Sequence, residues 1–228
     1  MSRSALDDPP ALVTHPVEPR HTRAQLRRTA LDAVHQLNAH LLDLLSARAR
    51  ETASAFPLEA PLRARFANLT VAQRDCLARC GTLLVDAGFS DEVRWRRVKE
   101  QTEGTEEVST PPHPWLPRDD SLLVAQSTLL VAWSILNAAR TEAGVLLAIS
   151  PQVAGIISSM GVNRLSVVAQ RYPQWIRLRW GELPAAWSNL LSLAMDGAQA
   201  GSGIGALRCL QLNGGHARWL EPYFDGRI

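Results

Sequence analysis

The segment from Leu147 to Trp180 constrains the fold more than any other part of the sequence. Ser150 suits the N-cap of a helix, and Pro151 suits its first helical position. Pro173 cannot continue a helix, and the residues after it are strand formers with arginine at alternate positions. The apolar spacing predicts three pieces: a helix over 151–160, a helix from 162 or 163 to 170, and an extended segment over 175–180.

A similar unit precedes this segment at an offset of about 91 positions. Thr70 and Gln73 form a capping box there, which fixes the start of its second short helix, and Pro61 suits the opening of the first. Apolar residues match at the offset: Leu69 with Met160, Val71 with Val162, Leu77 with Val168, Ala78 with Ala169, Val85 with Ile176 and Phe89 with Trp180. The pattern indicates a diverged internal duplication; the alternative is two unrelated helical pieces that share apolar spacing.

These residues also carry a resemblance to a known family. The matching positions are Leu147, Ile149 and Ala154, then Met160-Gly161-Val162, then Val168-Ala169, then residues 176–180. This pattern resembles the central region of FlhD, a subunit of the flagellar transcriptional activator. The first unit shares Leu69-Thr70, Gln73, Leu77-Ala78 and Leu83 with it. The resemblance implies association through a long first helix, with a partner subunit that supplies most of the DNA contacts.

The predicted fold class is mainly α, with two related helical units that each contain a long helix, two short helices and a short extended segment. The long helices are predicted from Thr22 and from Ser121, where apolar residues recur at helical spacing. Residues 100–118 contain four prolines and several acidic groups, which favours an extended linker. The expected layout is a disordered tail (1–20), a first FlhD-like unit (21–99), the proline-rich linker (100–118), a second FlhD-like unit (119–196) and a glycine-containing C-terminal extension that docks on the body (197–228).

The charge balance limits what the chain can bind. Its formal net charge of +2 is too small for a general polyanion-binding surface, so DNA contact would need a local cluster. Lys99 is the sole lysine, and the other cations are arginines. The candidate partner or DNA surface consists of Arg94, Arg96, Arg97, Arg164, Arg171, Arg177 and Arg179.

Side chains that carry out catalysis or bind metals form no recognisable constellation. Cys76 and Cys80 are predicted on one face of a helix, where small residues pack at an interface, and further ligands for a metal site are missing. His35 and His40 are expected to be solvated. No nucleophile lies beside a base in a known motif, so we expect a protein that is not an enzyme and has no cofactor and no metal. The three cysteines, with Cys209, favour a reducing cytoplasm.

The helix predicted to begin at Ser121 is apolar over more than half of its circumference. Its candidate association residues are Leu122, Leu123, Leu129, Leu130, Trp133 and Leu136. The apolar run is too short and too interrupted by polar residues to span a bilayer. Such a helix is buried on several sides or pairs with another chain, and the resemblance favours pairing.

Two functions follow from these features. The first is a non-enzymatic FlhD-like regulator that acts through protein–protein association, including transcriptional control. The alternative is an interaction or scaffolding accessory subunit of a bacterial secretion or envelope machine that does not bind DNA. In both cases we expect a protein partner, with DNA contacted only through a complex, and an internal pseudo-dimer or a homodimer.

Overall fold

A computed structural model describes residues 22–51, 55–101, 113 and 115–200. Their structure is mostly helical, as predicted. In chain order the elements are α1 (Arg23–Arg50), α2 (Ala60–Ala67), α3 (Val71–Ala78), β1 (Val85–Asp86), α4 (Glu92–Glu100), α5 (Arg118–Ala138), α6 (Arg140–Leu147), α7 (Pro151–Ser159), α8 (Val162–Arg171), a 3-10 turn (Pro173–Trp175), β2 (Arg177–Leu178) and α9 (Pro184–Ala200). The expected N-terminal tail, most of the linker, the C-terminal extension after residue 200 and Cys209 lie outside the described residues.

Side-chain caps set the beginnings of several helices. Thr22 and Thr70 each form a complete capping box with the glutamine three residues later, and the Ser150 hydroxyl accepts from the Val153 amide. The Asp91 carboxylate caps α4 by accepting from the Arg94 amide at 3.0 Å. α5 begins at Arg118 after Pro117, three residues earlier than predicted.

The helix starts recur along the chain. α2 begins at Ala60 and α7 at Pro151, α3 begins at Val71 and α8 at Val162, and α4 begins at Glu92 and α9 at Pro184. Each pair is separated by about 91 positions, the offset seen in the apolar pattern. A long helix, α1 or α5, precedes each series. α6 has no counterpart in the first series, where residues 52–54 are outside the described ranges.

The two series meet in one core. β1 pairs with β2 in antiparallel orientation, with Val85 opposite Leu178 and Asp86 opposite Arg177. α1 packs against α5, α3 packs against α9, and α4 packs against α7. The buried apolar residues of all these helices form a single cluster.

Two fully buried tryptophans, Trp95 in α4 and Trp187 in α9, make the same kind of hydrogen bond. Trp95 Nε1 donates to the Gly88 carbonyl at 3.0 Å, and Trp187 Nε1 donates to the Arg179 carbonyl at 2.8 Å. Each acceptor lies shortly before the helix that carries its tryptophan. Burying an indole requires a partner for its N–H, so each bond fixes the position of its helix on the core.

The buried side chain of Asn38 connects α1 to the segment between α3 and β1. Its Nδ2 donates to the carbonyls of Ala78 at 3.1 Å and Thr82 at 2.8 Å, and its Oδ1 accepts from the Leu84 amide at 2.8 Å. Buried backbone groups need such partners because no water reaches them. Asn38 therefore supplies hydrogen bonds that the irregular segment cannot make within itself.

By length and composition, α5 is long and apolar enough to cross a bilayer, so the expectation that this run is too short and too polar to do so is wrong. α6 and α7 reach that length only if the two helices, which are bent relative to each other, are counted as one broken span. α5 nevertheless packs against α1, α6, α7 and α8. The packing of α5 against four helices of the same chain is that of a core helix and is consistent with no span.

Replacing Asn38 tests how much its hydrogen bonds between α1 and the segment after α3 stabilise the fold. Asn38→Leu keeps the branched shape of the side chain but leaves the Ala78, Thr82 and Leu84 backbone groups without their partner, so we expect the free energy of unfolding to fall by about 3 kcal/mol. Gln36→Leu, on the exposed face of the same helix, is the matched control and should change it by less than about 0.5 kcal/mol. Urea unfolding followed by tryptophan fluorescence measures both. Equal effects of the two substitutions would show that Asn38 has no special role.

Candidate interaction site

The predicted association helix is only partly buried. Leu129 and Leu136 lie in the core, whereas Leu123 and Leu130 are 49% and 36% exposed. Leu122 and Trp133 are half-buried. The Trp133 indole reaches the end of α7, where it donates to the Met160 carbonyl at 2.9 Å. The buried face of α5 is thus occupied by helices of the same chain, and a narrow apolar face remains exposed.

The seven candidate arginines do not form one continuous basic surface. Arg179 and Arg164 are engaged with backbone carbonyls. Arg94 and Arg96 are paired with acidic residues of their own helix turn, and Arg171 lies against Tyr172. Arg97 and Arg177 are exposed. The spacing of the arginines in the sequence suggested a shared basic surface, but it did not reveal which carbonyls and carboxylates each guanidinium group binds.

Arg179 holds the strand pairing from the side. Its Nε donates to the Leu83 carbonyl at 2.7 Å, and one terminal nitrogen donates to the carbonyls of Val85 at 3.2 Å and Leu147 at 2.6 Å. Burial lowers the pKa of the Arg179 guanidinium from its usual value, and the Asp86 carboxylate opposes this shift. The side chain therefore acts as a structural clamp and not as part of an exposed basic face.

Arg164 caps the C-terminus of α4. One terminal nitrogen lies within 2.8 Å of the Val98 carbonyl and 2.7 Å of the carbonyls of Lys99 and Gln101. The last carbonyls of a helix have no partner within the helix, and a cation there also meets the negative end of the helix dipole. Arg164 in α8 thus fastens α4 to the second series of helices.

α4 and the 3-10 turn border a cleft of about 360 Å³. Arg94 lies beside it, with its Nε 3.1 Å from the Asp91 carboxylate and its guanidinium carbon 4.9 Å from the centre of the Trp175 ring. Arg97 lines the same cleft. Of the predicted arginines, these two share one concave surface.

His113 is a buried residue that sequence reasoning missed, because it lies among the prolines of the expected linker. Its Nε2 is 2.7 Å from the Ile176 carbonyl, and its Nδ1 lies 3.4 and 3.3 Å from the amides of Trp115 and Leu116. These partners require a neutral ring that carries its proton on Nε2. Burial lowers the pKa of His113 from 6.5, and the bond to Ile176 opposes the shift.

Three expectations about other side chains are wrong. Cys80 lies beyond the end of α3, so it does not share a helix face with Cys76; its buried thiol contacts the Thr82 carbonyl at 3.2 Å. His35 and His40 are half-buried and so only partly solvated, and burial lowers the pKa of His35.

Among the described residues, no group of three or more His, Cys, Asp or Glu could hold a metal ion.

Compared with protein-family models, curated proteins and solved structures, the chain matches none of them.

The structural role of Arg179 can be separated from its charge. Arg179→Met retains most of the apolar stem and removes hydrogen bonds to three carbonyls, so we expect the free energy of unfolding to fall by about 3 kcal/mol. Arg177→Met, two residues earlier and exposed, should change it by less than about 0.5 kcal/mol. Chemical unfolding of both variants measures the difference. Similar losses in the two variants would contradict the assignment of Arg179 as a clamp.

The lowered pKa of His113 predicts that the protein loses stability in acid. Because its folded pKa lies below 6.5, the unfolded chain binds a proton more readily, and stability present at neutral pH is lost as the pH falls from about 6.5 towards the folded pKa. His113→Gln removes this titration and should make stability less dependent on pH, as measured by urea unfolding above and below that range. The pKa of His35 is also lowered by burial, but His35 is present in both proteins, so its contribution to the pH dependence cancels in the comparison. An unchanged pH dependence in His113→Gln would contradict the buried neutral ring.

Proposed function

We propose that this protein is a non-enzymatic, cytoplasmic FlhD-like regulator that acts through protein–protein association and has no cofactor. We further propose that its two helical series descend from an internal duplication. The recurrence of helix starts at about 91 positions carries this proposal. The two buried indoles, Trp95 and Trp187, support it because their hydrogen bonds and their places in α4 and α9 correspond.

The contacts between the series support an internal pseudo-dimer. In a twofold arrangement, a contact between two positions is repeated with the roles exchanged. Asp86 and Arg177 are separated by about 91 positions and face each other across the strand pair. α4 of the first series packs on α7 of the second, and α9 of the second packs on α2 of the first. Since α2 corresponds to α7 and α4 to α9, this exchange is reciprocal.

An internal pseudo-dimer would fill the place that a second chain takes in the FlhD-like arrangement. The resemblance assigns association to the long first helix, and here α5 packs against α1 of the same chain. Leu123 and Leu130 of α5 stay exposed, so this helix can also contribute to a partner surface. One chain would then form the pair of helical units that two chains form in the FlhD-like arrangement.

The accessory-subunit function, without DNA binding, is favoured by the use of the arginines. The guanidinium groups of Arg164 and Arg179 are committed to backbone carbonyls, and Arg96 pairs with Glu92. Of the seven candidate arginines, Arg97 and Arg177 are the exposed ones that form no ion pair among the described residues, and the net charge is only +2. If DNA is contacted, the protein partner must supply most of the contacts.

The internal pairing predicts a monomer. Size-exclusion chromatography with light scattering should give the mass of one chain, 25.0 kDa, over a wide concentration range. Leu130→Glu places a charge on the exposed face of α5 and should not change this mass. An obligate dimer that Leu130→Glu dissociates would contradict the internal pairing.

A gel-shift titration at two salt concentrations separates the two functions. We expect the chain alone to bind duplex DNA weakly and without sequence preference, because its net charge is only +2 and the seven candidate arginines form no continuous basic surface. Binding with a steep salt dependence that Arg177→Gln reduces would favour the regulator that touches DNA. No shift by the chain together with proteins captured from its own cell would favour the accessory subunit.

A further inference from the structure

The cleft beside α4 has a rigid aromatic wall. The rings of Tyr172 and Trp175 are stacked, with centroids 4.2 Å apart and an angle of 8°. The fully buried Trp95 supports Trp175 from behind in an edge contact at 6.0 Å. The Tyr172 hydroxyl lies 3.2 Å from Gln101 Oε1 at the end of α4. These contacts hold the aromatic wall in place without a ligand, so binding would cost little ordering of side chains.

The opposite wall is formed by α4 and is both apolar and cationic. Val93 is 62% exposed there, although it lies beside the fully buried Trp95. Arg94 is partly neutralised by Asp91. Arg97 is exposed, and among the described residues no carboxylate forms an ion pair with it. The cleft thus combines an exposed aliphatic side chain, two aromatic rings and an arginine that has no carboxylate partner in the described part of the chain.

We propose that this cleft binds a short acidic and apolar segment of a protein partner. A carboxylate of the segment pairs with the Arg97 guanidinium, and an adjacent apolar side chain lies over Val93 against Tyr172 and Trp175. The volume of about 360 Å³ is near the lower end of ligand-binding pockets and suits one or two side chains. An arginine beside aromatic residues is also the composition that carries most of the binding energy at protein interfaces.

Nucleic acid fits this surface less well. A strand of nucleic acid needs a row of cations that follows its phosphates. Here the Asp91 carboxylate lines the same wall, and Arg94 is engaged with it. The charge of Arg94 is thus partly cancelled, and Arg97 is the cation of the cleft lining that a single carboxylate can pair with.

Selection from a displayed library of random peptides on the full-length protein tests the proposal with no assumption about which protein the partner is. We expect the selected peptides to combine glutamate or aspartate with leucine or an aromatic residue. The most frequent peptide, labelled with fluorescein, is then titrated by fluorescence anisotropy. Its analogue with glutamine and asparagine in place of the acidic residues should bind at least about tenfold more weakly.

Matched variants place the peptide in the cleft. Arg97→Met should weaken binding about tenfold, because it removes the guanidinium and leaves the fold unaffected at an exposed position. Val93→Asp should weaken it similarly by repelling the acidic peptide. Arg96→Met, on the same helix but paired with Glu92, is the control and should alter the dissociation constant less than about twofold. Circular dichroism and thermal unfolding of each variant verify that it is folded.

Several results would overturn the proposal. These are a library without acidic enrichment, equal binding of the neutral analogue, and equal effects of Arg97→Met and Arg96→Met. Displacement of the peptide by a single-stranded oligonucleotide that binds more tightly would assign the cleft to nucleic acid. The proposal rests on the proposed role in protein association but not on the internal pairing. An obligate dimer that still binds the peptide through Arg97 would therefore refute the pairing alone.

Discussion

The rest of the fold depends on the hydrogen bonding of residues 83–85, where the two helical series meet. Their backbone groups are satisfied from three directions: Leu84 by Asn38 of α1, Leu83 by the end of α6, and the carbonyls by the backbone and side chain of Arg179. Because the described residues place this short strand in a sheet of two strands, distant parts of the chain must supply its partners. The packing of the helices brings Asn38, the end of α6 and Arg179 to the same short segment.

Local signals predicted the helices, and distant contacts decided the rest. The capping residues Thr70 and Ser150 fixed the starts of α3 and α7 because a cap acts within one turn of the chain. α6 gave no such signal: it ends at Leu147, and the following Ala148 has a φ of +47°, a conformation that glycine usually marks. The burial of His113 depends on a carbonyl far away along the chain, which no local pattern reveals.

Arginine shows why the candidate site was only partly predictable. Arg177 and Arg179 alternate in sequence, which suggested one basic face, but their surroundings in the fold differ. One points to solvent, and the other reaches the carbonyls of Leu83 and Leu147. The sequence indicates which residues are cationic; the partners that neutralise or engage them come from the packing of the two series. The cleft beside α4 likewise exists because α4 packs on the second series.

The most direct test of the internal pairing asks whether residues opposite each other in the strand pair belong to the same molecule. Val85 and Leu178 face each other across the pair. An isotope-filtered NOE experiment on mixed labelled and unlabelled protein distinguishes contacts within a chain from contacts between chains. Internal pairing predicts a strong NOE between these residues in fully labelled protein and none between chains. An inter-chain NOE, or no NOE in either sample, would contradict it.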